Sequence, residues 1–277
     1  MALSGVHEGM PGVGRGEPRA WAKMRRMPRR FYAVHRWLGL VVGAQLVLWC
    51  LGGLIFATHE LAWVRGEEGR NPEPAAGLDL TRVRLGPDAA AALAAAGRAA
   101  PEPDAAAPVV DEIVLRPLLG RAVYEVRYRD GAAPAALIDA ESGAVRSPLD
   151  RDAAVAIARA DRAGQPEVLS AALIERDPPT EYRQGALPAW QVAIADGAGM
   201  HVYVAANTGR ITARRNDAWR RFDFFWMLHT MDYRGRDDFN HPLLIVAAGA
   251  ALVALASGFT LWGVRLRKRR RRAAARG

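Results

Sequence analysis

Two uncharged apolar runs, at 38–58 and 243–264, constrain this chain more than any other feature. Each is about 20 residues long, enough at about 1.5 Å per residue to cross a hydrocarbon layer roughly 30 Å thick as one helix. Residues 1–37 hold 8 Lys/Arg and 2 acids, and residues 265–277 hold 8 Lys/Arg and no acid. An excess of Lys/Arg marks cytoplasmic flanks. Both termini are therefore expected in the cytoplasm, with residues 60–241 delivered to the far side. A cleaved signal peptide is the competing reading of the first run. Its apolar core would span only about 7–15 residues and end in small residues. This run is longer and ends Ile55-Phe56-Ala57-Thr58-His59, which favours an uncleaved anchor.

Position also decides how the net charge of +9 is read. Of the 38 Lys/Arg, 16 sit in the two tails, and the middle keeps 22 against 27 acids. The basic excess is thus a topology signal and a contact for anionic lipid headgroups of the bilayer, and no nucleic-acid partner is expected. Cys50, the single cysteine, lies in the first run, so no intrachain disulfide can form and cysteine usage does not report the compartment.

The first run has a small-residue face. From His35, helical steps reach Gly39, Gly43, Leu46, Cys50, Gly53 and Ala57. The second run offers Ala247, Ala250, Ala251, Ala254, Ser257 and Gly258. Small faces let helices approach closely in lipid. The two faces are expected to pack within one chain or between copies, the latter giving a homodimer through Gly39, Gly43, Cys50 and Gly53. Gln45 in the same run needs a polar partner.

Between the runs the pattern is that of an α+β domain. After a linker at 66–78, an alanine-rich helix is expected within 80–98, then a Pro/Ala loop at 99–108 and strands at 110–115, 121–128 and 135–139. The order recurs: a helix at 150–163, strands at 168–174, 189–195 and 200–205, with Asn207-Thr208-Gly209 where Glu141-Ser142-Gly143 stood. Each unit is expected to be one helix on a three-stranded antiparallel sheet. The boundaries are a disordered basic tail at 1–30, a first transmembrane helix at 31–59, unit 1 at 60–145 and unit 2 at 146–216. An interfacial helix and loop come next at 217–241, aromatic and charged as a membrane-surface helix requires. A second transmembrane helix at 242–264, capped by Asn240 or His241, and a basic tail at 265–277 complete the chain.

Certain pieces resemble the PepSY-associated transmembrane family. They are His35-Arg36-Trp37-Leu38-Gly39-Leu40 with Gln45 and Trp49, Val64-Arg65-Gly66-Glu67, Leu228-His229-Thr230-Met231-Asp232-Tyr233, and the stretch from Arg236 to Leu243. The two units resemble PepSY modules, in which a strand often ends in Asp-x-x-x-Gly, as Asp139 to Gly143 does; the second unit has Ala205 or Ala206 there. The resemblance implies a bacterial inner-membrane protein with a periplasmic domain that binds a protein or peptide, peptidases among them. Larger relatives with four spans resemble haem-carrying reductases of ferric siderophores, which implies haem b, one-electron chemistry and iron uptake as an alternative.

The histidines are weighed on that basis. His35 stands beside the small face, and neutral imidazole is a common axial ligand of haem iron. A second imidazole at that level would have to come from a second copy of the chain. The alternative for His35 and Arg36 is contact with headgroups or with the packed helices. His59, His229 and His241 are expected near the outer surface, as haem ligands, as metal ligands with Asp232, Asp237 or Asp238, or as an anchoring network in which Asp232 and Asp238 pair with Arg234 and Arg236. His201 reads as a strand-surface residue, and His7 lies in the tail.

No H-E-x-x-H, P-loop, G-x-S-x-G or C-x-x-C-H is present, so no catalytic residue is assigned. The leading expectation is a binding domain on a membrane anchor. The alternative is a haem-containing reductase subunit fed by an external electron donor.

Overall fold

The computed structural model describes residues 29–71, 77–97 and 107–276. All but the last two residues of the expected disordered tail, and most of the expected Pro/Ala loop, lie outside these. Two compact bodies are present, one built from the terminal helices and one spanning Leu51–His229.

Helix α1, Arg29–Thr58, contains the first apolar run. A short helix α2, Leu61–Val64, comes after it. Helix α3 is Pro87–Ala96. The strands β1, Val110–Leu118, β2, Arg121–Tyr128, and β3, Ala136–Asp139, form one antiparallel sheet in the order β1-β2-β3. Helix α4, Arg151–Ala160, leads to β4, Val168–Ile174, β5, Ala189–Ile194, β6, Met200–Ala205, and β7, Ile211–Arg215, a second antiparallel sheet in the order β4-β5-β6-β7. Helix α5, Asp217–Thr230, and helix α6, Pro242–Ala274, close the chain. Both α1 and α6 are long and apolar enough to cross a membrane. The sequence therefore folds as an α+β chain with apolar helices near its ends.

In the body of terminal helices, α1 and α6 meet along Leu38, Val42, Leu46 and Trp49 on one side and Ala250, Ala251 and Ala254 on the other. The second-run face is the expected one. The first-run face is met only at His35 and Leu46: at Gly39, Gly43 and Gly53 an added Cβ would meet no atom within 4 Å. From His35 the seam steps three residues to Leu38 rather than four to Gly39, and the 3.6-residue period then carries it past the glycines. Cys50 is exposed. His241 caps α6, accepting the Leu244 N–H at 3.4 Å, with Pro242 in the first turn where its missing N–H costs nothing.

In the other body, β2 alternates as a strand buried on both faces must. Tyr124, Val126 and Tyr128 face Ala90 and Ala94 of α3, whose small side chains let helix and sheet close together. Val123 and Leu137 face the other way and share a core with Ile157 and Ala158 of α4 and with Val192, Val202 and Val204 of the second sheet. The two helix-on-sheet units thus share one core between them, while the α3 face of β2 has a core of its own. The alanine-rich helix expected within 80–98 lies there as α3, with a separate turn before it. Asp79 accepts the Thr81 N–H at 3.0 Å to start a single 3-10 turn, Leu80–Arg82, and the α-helix starts only at Pro87, which holds Gly86 in extended backbone. The second sheet has four strands, not the expected three. Strand β7 ends in Arg214-Arg215, which obscures its alternation in the sequence. Arg214 forms a bidentate pair with Asp161, Nε to Oδ2 being 2.6 Å, and Arg215 lies over the Trp219 ring at 4.3 Å.

The Asp-x-x-x-Gly turn has a plain cause. Asp139 Oδ1 accepts the N–H groups of Glu141 and Ser142 at 3.1 and 3.0 Å, and Gly143 takes the left-handed φ of +76° that closes the turn. Gly66 is required for a different reason. Its φ is +68°, and an added Cβ would sit 2.9 Å from Met200 Cε. Arg162, buried, donates to Gly66 O at 2.9 Å, and Asn216 donates to Trp63 O at 3.0 Å, so the segment after α2 is pinned to α4 and to the start of α5.

Glu125, fully buried, joins the two sheets. It accepts from Arg116 Nε at 2.7 Å and Arg127 Nε at 2.8 Å within its own sheet, and from Arg210 Nε at 2.9 Å in the turn before β7. Arg116 also donates to Thr208 O. Burial opposes the charge on Glu125, and the three guanidiniums overcome it and hold the carboxyl below its usual range. Removing this acid would strand three cations. Glu125→Ala is expected to cost about 3 kcal/mol, the lower end for a broken buried pair because Arg127 and Arg210 are partly solvated. Urea unfolding of the full chain in detergent would read this, and an unchanged midpoint would rule out the clasp.

Candidate functional site

His35 lies on the helix seam. Ser257 Oγ donates to Ala254 O at 2.8 Å, so its remaining capacity is to accept, and His35 Nδ1 stands 2.6 Å from it. The proton is thereby assigned to Nδ1, leaving Nε2 as the ring's second polar atom. His35 lines a hollow of about 520 Å³ with Tyr32, Arg36, Gly258, Trp262 and Arg265.

The other three candidates have different surroundings. His59, exposed, places Nδ1 2.9 Å from Ile55 O and stacks on Trp63 with centroids 5.1 Å apart. His229 sits edge-on to Phe56 at 5.6 Å and parallel to Trp226 at 6.5 Å, and its Nδ1 is 3.6 Å from where a Cβ on Gly52 would be. In His241 both nitrogens are engaged: Nδ1 accepts from the helix, and Nε2 donates to Thr230 O at 2.9 Å. In these contacts each imidazole meets residues other than a second histidine. Among the described residues no three His, Cys, Asp or Glu side chains gather closely enough to hold a metal ion.

Asp232 does not take the role expected of it beside Arg234 and Arg236. Its carboxylate accepts four backbone N–H groups instead, from Arg234 and Gly235 on Oδ1 and from Asp237 and Asp238 on Oδ2, at 3.0 to 3.2 Å. These bonds, the one from Asp238 foremost, lower its pKa to about 2. A run of backbone donors satisfies a carboxylate without the entropy cost of fixing a long arginine.

Two sites escaped the sequence reading. The first surrounds Glu181, on the sheet face turned away from α4. Glu181 Oε1 lies 2.5 Å from His201 Nδ1 and accepts from the Tyr203 hydroxyl at 2.6 Å, while Oε2 accepts from Arg220 Nε at 2.7 Å. Gln191 Nε2 reaches the Tyr203 hydroxyl at 2.7 Å, and the Tyr182 and Tyr203 rings stack 4.2 Å apart. His201, its side chain 31% exposed, is thus also partner to a carboxylate. Burial disfavours charge on Glu181, but His201, Arg220 and Tyr203 together bring its pKa down to about 2. Burial and the bond to Glu181 raise that of Tyr203. An ionised acid with its donors in place serves to fasten α5 to the sheet. The available signal was alternation: His201 and Tyr203 share one face of β6 while Val202 and Val204 take the other.

The second is a cleft of about 550 Å³ bordered by the β1–β2 hairpin, the chain before α3 and the turn before β7. Its guanidiniums are Arg82, Arg116, Arg121 and Arg210, and its acids are Asp79, which accepts from Thr81, Asp139 and Glu141. Glu141 pairs with Arg82 at 2.7 Å, and Asp139 with Arg121 and Arg146 at 3.2 and 3.3 Å. Arg82, Arg121 and Arg210 remain about half exposed. Each guanidinium has five N–H donors and uses one or two of them here, so the cleft can still receive carboxylates or peptide carbonyls. These arginines span 128 positions and form no local motif, which is why only folding reveals them.

The family described as PepSY-associated TM region matches residues 32–277. No curated protein and no solved structure matches the chain.

Glu181 has a folded pKa of about 2 against an ordinary 4.5. Between these values the unfolded chain binds the extra proton, so this contribution is complete above about pH 4.5 and fades as pH falls toward 2. Glu181→Gln is expected to flatten the acid limb of a stability–pH curve in that window. An acid limb as steep as that of wild type would show that the network contributes nothing.

Proposed function

The chain belongs to the PepSY-associated transmembrane family and is a membrane protein with an α+β region between two apolar helices, and from that premise we propose that it presents this region as a binding domain to a peptide or protein partner. In this reading the helices anchor it in a bacterial inner membrane, both termini are cytoplasmic and α5 lies at the membrane surface. The units α3 with β1–β3 and α4 with β4–β7 are PepSY-like modules in the periplasm. Peptidase regulation is one form such binding takes. The observation that carries the reading is the arginine-lined cleft: two of its three acids, Asp139 and Glu141, are paired with arginines, guanidinium donors remain in surplus, and its volume suits a short stretch of chain.

Placement is tested with alkaline phosphatase fused after Arg176 or after Arg276. The first fusion is expected to be active and the second inactive, and the reverse pattern would put the domain in the cytoplasm. Binding is tested with a photo-crosslinking residue at Leu119, which lines the cleft, and at Arg151, which does not. Adducts are expected from position 119 alone and are expected to vanish in Arg82→Glu/Arg121→Glu. Equal labelling from both positions, or none, would remove the cleft as the binding site.

A second reading, a haem-dependent electron carrier in iron uptake or ferric-siderophore reduction, has one observation in its favour. The Nδ1 of His35 is held by Ser257, the kind of bond that orients an axial ligand. Among the described residues His35 is the only imidazole at its hollow. A bis-imidazole haem b would therefore need His35 of a second copy, with Gly39, Gly43, Cys50 and Gly53 as the open contact face. His59 and His229 are the outer candidates, and His241 would have to give up its cap. A bound haem would supply one-electron transfer. Purified full-length protein showing a Soret band that shifts with dithionite, and loses it in His35→Ala, is the expected result. A featureless spectrum after hemin addition would end this reading.

A further inference from the structure

We propose that the hollow beside His35 is a binding site for the phosphate of an anionic phospholipid. The proposal rests on the membrane reading of α1 and α6. The first argument is charge. Arg36 and Arg265 both line the hollow, and both are exposed. Arg36 lies 5.7 Å from the Trp37 ring centroid, and among the described residues neither guanidinium has an ion-pair or hydrogen-bond partner. None is at hand along either helix, since 31–59 and 243–277 contain no Asp or Glu. Two cations converge on one cavity, and among the described residues no acid supplies a countercharge to either. Planar guanidiniums grip phosphate oxygens in pairs.

The second argument is the floor. Gly258 gives no side chain to fill the cavity, and His35 stands over it, its Cε1 3.6 Å from where a Gly258 Cβ would lie. With Nδ1 committed to Ser257, Nε2 is the polar atom the ring has left to offer.

The third argument selects a lipid over free phosphate. Trp262 and Tyr32 on the rim are exposed aromatics with a polar atom each, as suits the headgroup level. On the same helix as Trp262, Phe259 and Leu255 are 70% and 49% exposed, an apolar surface on which acyl chains can lie. Basic pockets between membrane helices at the arginine-rich side are where anionic headgroups settle.

The test is native mass spectrometry of the full-length protein, released from micelles carrying phosphatidylglycerol, cardiolipin or phosphatidylcholine. Wild type is expected to keep an anionic lipid under activation that strips phosphatidylcholine. Arg36→Ala/Arg265→Ala is expected to weaken retention roughly 30-fold, the product of two surface arginines. Arg269→Ala/Arg271→Ala removes the same charge from the tail and is expected to retain the lipid. Equal loss in both pairs would overturn the proposal in favour of diffuse attraction. Displacement by excess inorganic phosphate would make the ligand a free anion, and a Soret band in the purified protein would make it a haem; either overturns it. Should the alanine pair misfold, Arg36→Lys/Arg265→Lys keeps the charge but loses the planar fork. Reduced retention in that variant supports the site, and wild-type retention overturns it. Release of the protein from membranes by carbonate would instead fail the membrane reading itself.

Discussion

Glu125 is the contact on which the arrangement of the two sheets depends. It lies on the face of β2 opposite α3, where alternation would otherwise place another Val123 or Leu137. A carboxylate there is costly to bury, and it persists because three guanidiniums converge on it from two sheets. Its specific consequence is geometric. Arg210 can reach Glu125 only if the turn before β7 is seated against β1 and β2, and Arg116 reinforces that seat by donating to Thr208 O. The same seating brings Arg116 and Arg210 to the cleft that Arg82 and Arg121 also line.

The ends of the second sheet are fastened in a comparable way. Arg162 and Asn216 hold the chain just after α2, and the Glu181 network holds Arg220 of α5. The chain thus enters and leaves the sheet region through segments tied by buried or half-buried polar groups.

Much of this was legible in the strand pattern. The expected bounds of β2, β4 and β6 match those observed, because period-two alternation between turn residues is a local signal. The Asp139–Gly143 turn was equally visible, since both its carboxylate cap and its left-handed glycine are fixed within five residues. Strand β7 was hidden because its arginines look like loop residues until Asp161, 53 positions away, is brought to Arg214. The partner of His201 was hidden for the same reason: Glu181 sits in a polar loop 20 residues earlier.

The sequence by itself determined the properties that each segment carries alone. They are two apolar helices with arginine-rich ends, the helix and strand periods between them, and the motifs that place the chain in its family. Tertiary structure decided which face of α1 meets α6, passing over Gly39 and Gly43 for Leu38 and Val42. It also decided that His241 caps a helix with both nitrogens engaged, and that arginines scattered over 128 positions share one cleft. The physical reason is range. Periodicity and capping act within one or two turns of backbone, whereas a buried charge finds its partner only after packing has chosen which distant surfaces lie close.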